Sequence, residues 1–223
     1  MKLYMHPGAC SLSPHIVCRE LDLPVELVAI DRNTHRTSGG EDFHRINGNG
    51  YVPALELEDG ATLTEGPAIV QYLADLRPDA KLAPKAGTIE RARVQSWLNF
   101  ITSELHKPMV LLFRPAYAPV KSTLFELVEK RLAWVATQIA GPYLTGSTFT
   151  VADAYLFVIL NWSPWLEIEL ARWPALAAFM ASVGARPKVQ EALAAEGLAP
   201  FGEEHTFYAP PALVQSARQA ARS

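Results

Sequence analysis

The chain is predicted to fold as an α/β domain, an open mixed sheet covered by helices, followed by an all-α domain. Three observations carry that expectation. Residues 1–76 alternate short apolar strands with helical stretches and include a hairpin signal. Pro78 and Pro84 then punctuate a segment without apolar periodicity. Everything beyond it runs at helical spacing. The expected division is 1–78 for the sheet domain, 79–87 for a linker, 88–199 for the helical domain and 200–223 for a tail.

Lys2-Leu3-Tyr4-Met5 is a short apolar strand ended by His6-Pro7-Gly8. Ser11 or Ser13 offers an N-cap, Pro14 is tolerated in a first turn, and Leu12, Ile16, Val17 and Leu21 share one helical face. Val25 to Ile30, apolar and partly β-branched, reads as the second strand. A polar stretch from Asp31 to Glu41 leads to a short helix over Asp42 to Ile46, broken by Asn47-Gly48-Asn49-Gly50. Ala54 to Glu58 alternates with period two. Asp59-Gly60 signals a two-residue hairpin turn, and Ala61-Thr62-Leu63 returns the strand. Pro67 is a favoured first helical residue, and that helix continues to Leu76.

Past the linker, 88–113, 122–139, 150–161, 173–183 and 187–196 favour helix. Thr150-Val151-Ala152-Asp153 is close to a capping box, with Asp where Glu or Gln is usual, and is expected to start a buried helix carrying Tyr155 to Leu160. The tail, with Pro200, Pro210, Pro211, Arg218 and Arg222, carries no chemical signal.

Composition excludes several function classes. Hydrophobic residues make up 49% of the 223, enough for a sizeable core and too many for a disordered chain. Twenty basic against 23 acidic residues leave a net charge of −3, so no basic field invites nucleic acid or anionic lipid. Cys10 and Cys18 make neither a disulfide framework nor a zinc pattern. The longest apolar run, Ala154 to Leu160, falls far short of the roughly 20 residues that span a bilayer. Met1 to Pro7 lacks the apolar stretch of a signal peptide. The expectation is a soluble, cytoplasmic protein with reduced cysteines, no metal site, and no nucleic-acid or membrane partner.

Four constellations could carry chemistry. Gly8-Ala9-Cys10-Ser11 joins the first strand to the first helix. Backbone N–H groups and the helix dipole there favour an anion, so a thiolate at Cys10, its own or a ligand's, is expected to be stabilised, with Ser11 as a hydrogen-bond donor. The alternative is a half-buried structural cysteine, the reading also given to Cys18. Val52-Pro53 precedes the hairpin, and proline there marks an edge or a strand start. A cis bond would turn the Val52 N–H and C=O outward to pair with an extended peptide; the isomer stays open. Thr64-Glu65-Gly66-Pro67 opens a helix whose N–H groups suit a carboxylate, while Glu65 suits an ammonium, or it is an ordinary helix start. Asn99, Thr102, Ser103 and His106 recur at i, i+3, i+4, i+7 as a polar stripe, either a solvated face or the wall of a cleft. Tyr4, Phe113, Tyr117 and Trp165 are expected in a pocket lining or in the core, and most of the histidines other than His106 on surfaces or loops.

The runs Met1-Lys2-Leu3-Tyr4, Pro7-Gly8-Ala9-Cys10-Ser11-Leu12-Ser13-Pro14-His15, Tyr51-Val52-Pro53-Ala54-Leu55, Leu63-Thr64-Glu65-Gly66, Glu104-Leu105-His106-Lys107 and Phe149-Thr150-Val151-Ala152-Asp153 closely resemble those of the bacterial beta-class glutathione S-transferases. The resemblance spans residues 1–199. It implies a thioredoxin-like N-terminal domain that holds glutathione, a helical domain that supplies a pocket for a hydrophobic electrophile, and a homodimer. By resemblance, Cys10 contacts the glutathione sulfur and can form a mixed disulfide with it, and His106 approaches that sulfur. Val52 and Pro53 meet the cysteinyl backbone, Glu65 and Gly66 hold the γ-glutamyl head, and Asn99 and Ser103 reach in from the partner subunit. His35 stands where lysine commonly meets the glycyl carboxylate, and Met5 where the family often has tyrosine. The implied activity is detoxifying conjugation of glutathione to electrophiles. A thiol–disulfide reductase or peroxidase using Cys10, or a non-catalytic carrier of hydrophobic compounds such as antibiotics, are the alternatives.

Overall fold

The computed structural model describes residues 1–202; the expected tail lies almost wholly outside the described residues. The first part builds β1 (Lys2–Met5), α1 (Leu12–Glu20), β2 (Glu26–Ala29), β3 (Ala54–Glu56), β4 (Thr62–Thr64) and α2 (Gly66–Asp75). The sheet order is β2-β1-β3-β4, with β1 and β2 parallel and the other neighbours antiparallel. This is the predicted mixed sheet, and α1 supplies the crossover that parallel strands require.

Alternation along β1 sorts its side chains onto two faces. Leu3 and Met5 join Leu55 in the main core with Leu12 and Ile16 of α1 and Ile69 and Leu73 of α2. Tyr4 faces the other way with Ala54, Ile30 and Phe43, closed over by the 31–47 segment and its single 3₁₀ turn at Phe43–Arg45. Tyr4 therefore lies in the core, its phenol donating to Glu56 Oε2 at 2.6 Å. Lys2, paired with Glu56 across the strands, donates to the other carboxylate oxygen at 2.9 Å.

The hairpin differs from expectation. Its loop is three residues, Glu58 to Gly60, with Gly60 N–H returning to Leu57 C=O at 3.1 Å and Leu57 N–H bonded to Ala61 C=O at 2.8 Å. Gly60, at φ +83°, takes the left-handed conformation that such a loop needs in its last place.

A 3₁₀ turn at Pro78–Ala80 leads on to α3 (Ile89–Phe100), α4 (Lys107–Leu112), α5 (Lys121–Gln138), α6 (Val151–Leu160), α7 (Pro174–Gly184) and α8 (Pro187–Ala195). The Thr88 hydroxyl caps α3, accepting from Arg91 N–H at 3.2 Å. The expected helix over 88–113 is not uniform, because Ile101–His106 forms a π-helical turn between α3 and α4. Every residue of α6 is buried. That helix packs on α1, α2, α3 and α7, so the two halves share one apolar core. No helix of the described residues is long and apolar enough to cross a membrane.

Candidate active site

The turn between β1 and α1 carries Cys10, and its neighbours explain its shape. Gly8 sits at φ +69°, open to glycine at little cost. The Ser11 hydroxyl does not cap α1. It is buried, accepts from His6 N–H at 3.1 Å and donates to His6 C=O at 3.2 Å. Its proton is thus committed to the loop that precedes the cysteine, and the donor this residue offers near the sulfur is its backbone N–H. Ser13 closes the same turn by donating to Cys10 C=O at 2.8 Å.

The helical half grips this loop. Trp162 Nε1–H donates to Gly8 C=O at 2.9 Å, and Gly8 N–H donates to Glu196 Oε2 at 2.9 Å. The other oxygen of Glu196 meets His15 Nδ1 at 2.8 Å, both side chains fully buried. His15 departs from the surface or loop position expected of most histidines here and is a core residue of α1.

The Cys10 sulfur donates to Val52 C=O at 3.3 Å. The Val52–Pro53 bond is cis, Val52 is half-buried and Pro53 is buried. Burial pushes the Cys10 thiol up to about 12, against the charge of Arg32 and the backbone N–H groups of Cys10 and Ser11, which pull it down. The donors expected at the helix start are present, but desolvation outweighs them, and the free thiol keeps its proton at neutral pH. Cys18 is also buried and likewise raised to about 12 by desolvation.

Glu65 is exposed at the β4–α2 junction, with φ +68° and ψ +111°, a conformation that non-glycine residues seldom hold. Its charge raises the pKa of Cys10, which places both in one electrostatic neighbourhood. Gly66, buried behind it, begins α2. His35, also at positive φ, turns its ring onto His44 at 4.8 Å between centroids, and its buried Nδ1 has no hydrogen-bond partner among the described residues. Arg32 is the residue the sequence reading missed. Its charge pulls down the pKa of both Cys10 and His6, a reach that an arginine in a polar stretch did not advertise.

From the helical half comes His106. The π turn advances each residue by a smaller angle than an α-helix does, which rotates His106 out of the expected stripe. Asn99 and Ser103 stay together on the exposed face, Ser103 donating to Asn99 C=O at 3.1 Å. Thr102 and His106 instead both meet the Tyr155 hydroxyl, at 3.4 and 2.7 Å. Burial, with a smaller contribution from Lys107, drives the His106 pKa down to about 4, so its imidazole is neutral at physiological pH. Trp162 packs on the same ring at 5.2 Å, and Phe113 packs on Trp162 edge-on at 6.1 Å. Tyr117 is exposed and Trp165 half-buried. Burial raises the pKa of Tyr155, with smaller contributions from Cys10 and Glu65, which places the His106–Tyr155 pair in the electrostatic neighbourhood of Cys10 across the domain boundary. Among the described residues no group of three or more His, Cys, Asp or Glu could hold a metal ion.

Residues 8–76 match the glutathione S-transferase N-terminal domain, and residues 103–196 match the glutathione S-transferase C-terminal domain. Glutathione S-transferase GstA of Escherichia coli O157:H7 is 44% identical over 89% of this chain and all of its own length. Glutathione S-transferase GST-4.5 of Xanthomonas campestris pv. campestris is 37% identical over the same shares. Among solved structures, a ternary complex of BphK, a bacterial glutathione S-transferase, superposes with a TM-score of 0.87 at 53% identity, covering 89% of this chain and all of that one. A beta-class enzyme of Sphingomonas chungbukensis does so with 0.83 at 44% identity over the same shares. The two-domain fold, the matched domains and these likenesses agree: the chain belongs to the glutathione S-transferase family, alongside its bacterial beta-class members.

Proposed function

We propose that the protein joins the thiol of reduced glutathione to small hydrophobic electrophiles, with glutathione as co-substrate and no metal. The observation that carries this reading is the convergence of Cys10, Val52 and Glu65 from the sheet domain with the His106–Tyr155 pair from the helical domain. Glutathione of a sphingomonad glutathione S-transferase, 46% identical with a TM-score of 0.85, is bound in its solved complex.

In this reading the tripeptide lies extended along the Val52 edge, where the Val52 backbone pairs with its cysteinyl residue and Pro53 packs beneath. Glu65 pairs with the γ-glutamyl ammonium, and the start of α2 at Gly66 receives the carboxylate. His35 meets the glycyl carboxylate. The backbone N–H groups of Cys10 and Ser11, with the His106 N–H, hold the glutathione sulfur as its thiolate. The thiol proton passes to solvent as the thiolate forms. The sulfur's lone pair then makes the carbon–sulfur bond while the electrophile either loses a leaving group with its electron pair or shifts the pair of an activated double bond onto the neighbouring atom, which takes a proton from solvent. Trp162 and Phe113 form the apolar wall against which the electrophile rests. Placing both reactants in one site supplies much of the acceleration.

Because Cys10 keeps its proton on Val52, the reacting thiolate belongs to glutathione rather than to the protein. A homodimer would bring Asn99 and Ser103 to the neighbouring site, and detoxification in the cytoplasm is the physiological setting this reading implies.

Retention on immobilised glutathione, followed by conjugation and disulfide-reduction assays of the eluate, tests the reading. Wild type is expected to bind and conjugate, and Cys10→Ala to keep most conjugation while losing thiol transfer. His106→Ala is expected to lower kcat more than glutathione affinity. Loss of conjugation in Cys10→Ala would make the enzyme a Cys10-based reductase, and tight ligand binding without turnover would make it a carrier.

A further inference from the structure

Tyr155 is a buried polar residue that meets His106 and is given no step of its own in the conjugation chemistry above. It lies on the fully buried α6 and is 2% exposed. Its oxygen is 2.7 Å from His106 Nδ1, and the two rings meet edge-on at 5.8 Å and 88°. With Trp162 also packed on the imidazole, the ring is held by aromatic neighbours rather than by solvent.

A neutral imidazole has one donor nitrogen and one acceptor nitrogen, and a hydrogen-bond partner decides which is which. Burial keeps both partners neutral here, driving His106 down to about 4 and lifting Tyr155 above its ordinary value. The direction of the short bond then follows from where the protons go. The Thr102 hydroxyl donates to Leu98 C=O at 2.8 Å, so it has no proton left for the phenol. Were His106 Nδ1 the donor, the 2.7 Å bond would remain but the buried phenol proton would be left facing Thr102 at 3.4 Å, too far for a sound O–H···O bond. The phenol therefore donates to Nδ1, and the single ring proton sits on Nε2.

We propose that Tyr155 is a positioning residue: by donating to Nδ1 it fixes His106 in the Nε2-protonated tautomer, so that a neutral N–H meets the glutathione sulfur. This rests on the assignment of His106 to that sulfur. A lone pair in the same place would repel the thiolate that the N–H stabilises.

Nitrogen-15 NMR of histidine-labelled full-length protein tests the tautomer directly, with His106→Ala used to assign the signal. At neutral pH, wild-type His106 is expected to show an unprotonated Nδ1 and a protonated Nε2. Tyr155→Phe keeps the ring and removes only the hydroxyl. Its His106 signal is expected to move toward a mixture of tautomers, and kcat for conjugation to fall about tenfold, with glutathione KM within about twofold. Adding Tyr155→Phe to His106→Ala is expected to cost nothing more.

A wild-type ring protonated at Nδ1 overturns the proposal, without any variant having to fold. So does an unchanged kcat in Tyr155→Phe, or a further loss in the double variant. Full activity in His106→Ala overturns the reading of His106 and the proposal with it, and the NMR spectrum tells that failure from a wrong tautomer.

Discussion

Gly8 contributes no side chain, yet both of its backbone polar groups are held by residues more than 150 positions away, Trp162 on its carbonyl and Glu196 on its N–H. The peptide just before Cys10 is therefore positioned by the opposite domain. Trp162→Phe keeps an aromatic ring against His106 but removes the only donor the indole has. Leaving the Gly8 carbonyl short of a partner is expected to cost about 1–3 kcal/mol in urea unfolding. Because the loop carries Cys10, kcat should fall with it; a Trp162→Phe protein as stable as wild type would show that the bond contributes nothing. None of this was legible beforehand. His15 and Glu196 are separated by 181 positions, and a histidine between apolar neighbours gives no sign of a partner that distant. Cys10 was legible as a special position, but not the state of its thiol. The local donors can be read from its place at a helix start, whereas the desolvation that overrides them comes from the packing around it.

At the scale of elements, α6 shows how a local pattern survives into tertiary structure. The Asp153 carboxylate accepts from Thr150 N–H at 2.7 Å, from the Thr150 hydroxyl at 2.8 Å and, with its other oxygen, from Leu144 N–H at 2.7 Å. The sequence showed the first of these through the capping-box spacing; the tie to the preceding loop depends on the fold. Asp153→Ala strands two buried N–H groups and is expected to cost about 2–4 kcal/mol, read as a lower urea midpoint with an unchanged slope. A loss under about 0.5 kcal/mol would mean that the carboxylate does not organise the start of α6. Strands and helices were legible because each buries one face, and that periodicity is written in the chain. The π turn was not. One i→i+5 turn leaves hydrophobic residues such as Ile101 and Leu105 buried as any helix would, so the apolar pattern is silent while the polar stripe divides. Sequence spacing put His106 beside Asn99; the turn put it beside Tyr155.

For the whole molecule, the question is whether two domains of different architecture unfold separately. Their cores are continuous: Leu3, Ile16 and Leu73 belong to the same apolar cluster as Leu98, Phe157 and Leu193. Charge pairs cross the boundary as well. Arg91 of α3, 4% exposed, forks onto Asp75 of α2 at 2.8 and 2.7 Å, and Arg186 before α8 forks onto Glu20 of α1 at 2.7 Å for both bonds. Burying the α1 face leaves neither half a complete core of its own, so the chain is expected to unfold as one unit. All five tryptophans lie between Trp97 and Trp173, in the helical half, so their fluorescence reports chiefly that half, Trp162 adding its contact with Gly8, while far-UV circular dichroism reports both. The two probes should trace one coincident transition in urea, and a tryptophan transition displaced from the circular dichroism transition would show independent domains. The same boundary contributes to the acid dependence of stability. Arg91 holds the Asp75 carboxyl below its usual range, so the pair's contribution is complete above about pH 4 and is lost as pH falls through the depressed folded value. Arg91→Met should flatten that acid dependence and leave the neutral-to-alkaline profile unchanged. It should also pull the two probes apart, because the guanidinium that joins α3 to α2 and to the Pro84 carbonyl of the linker is gone.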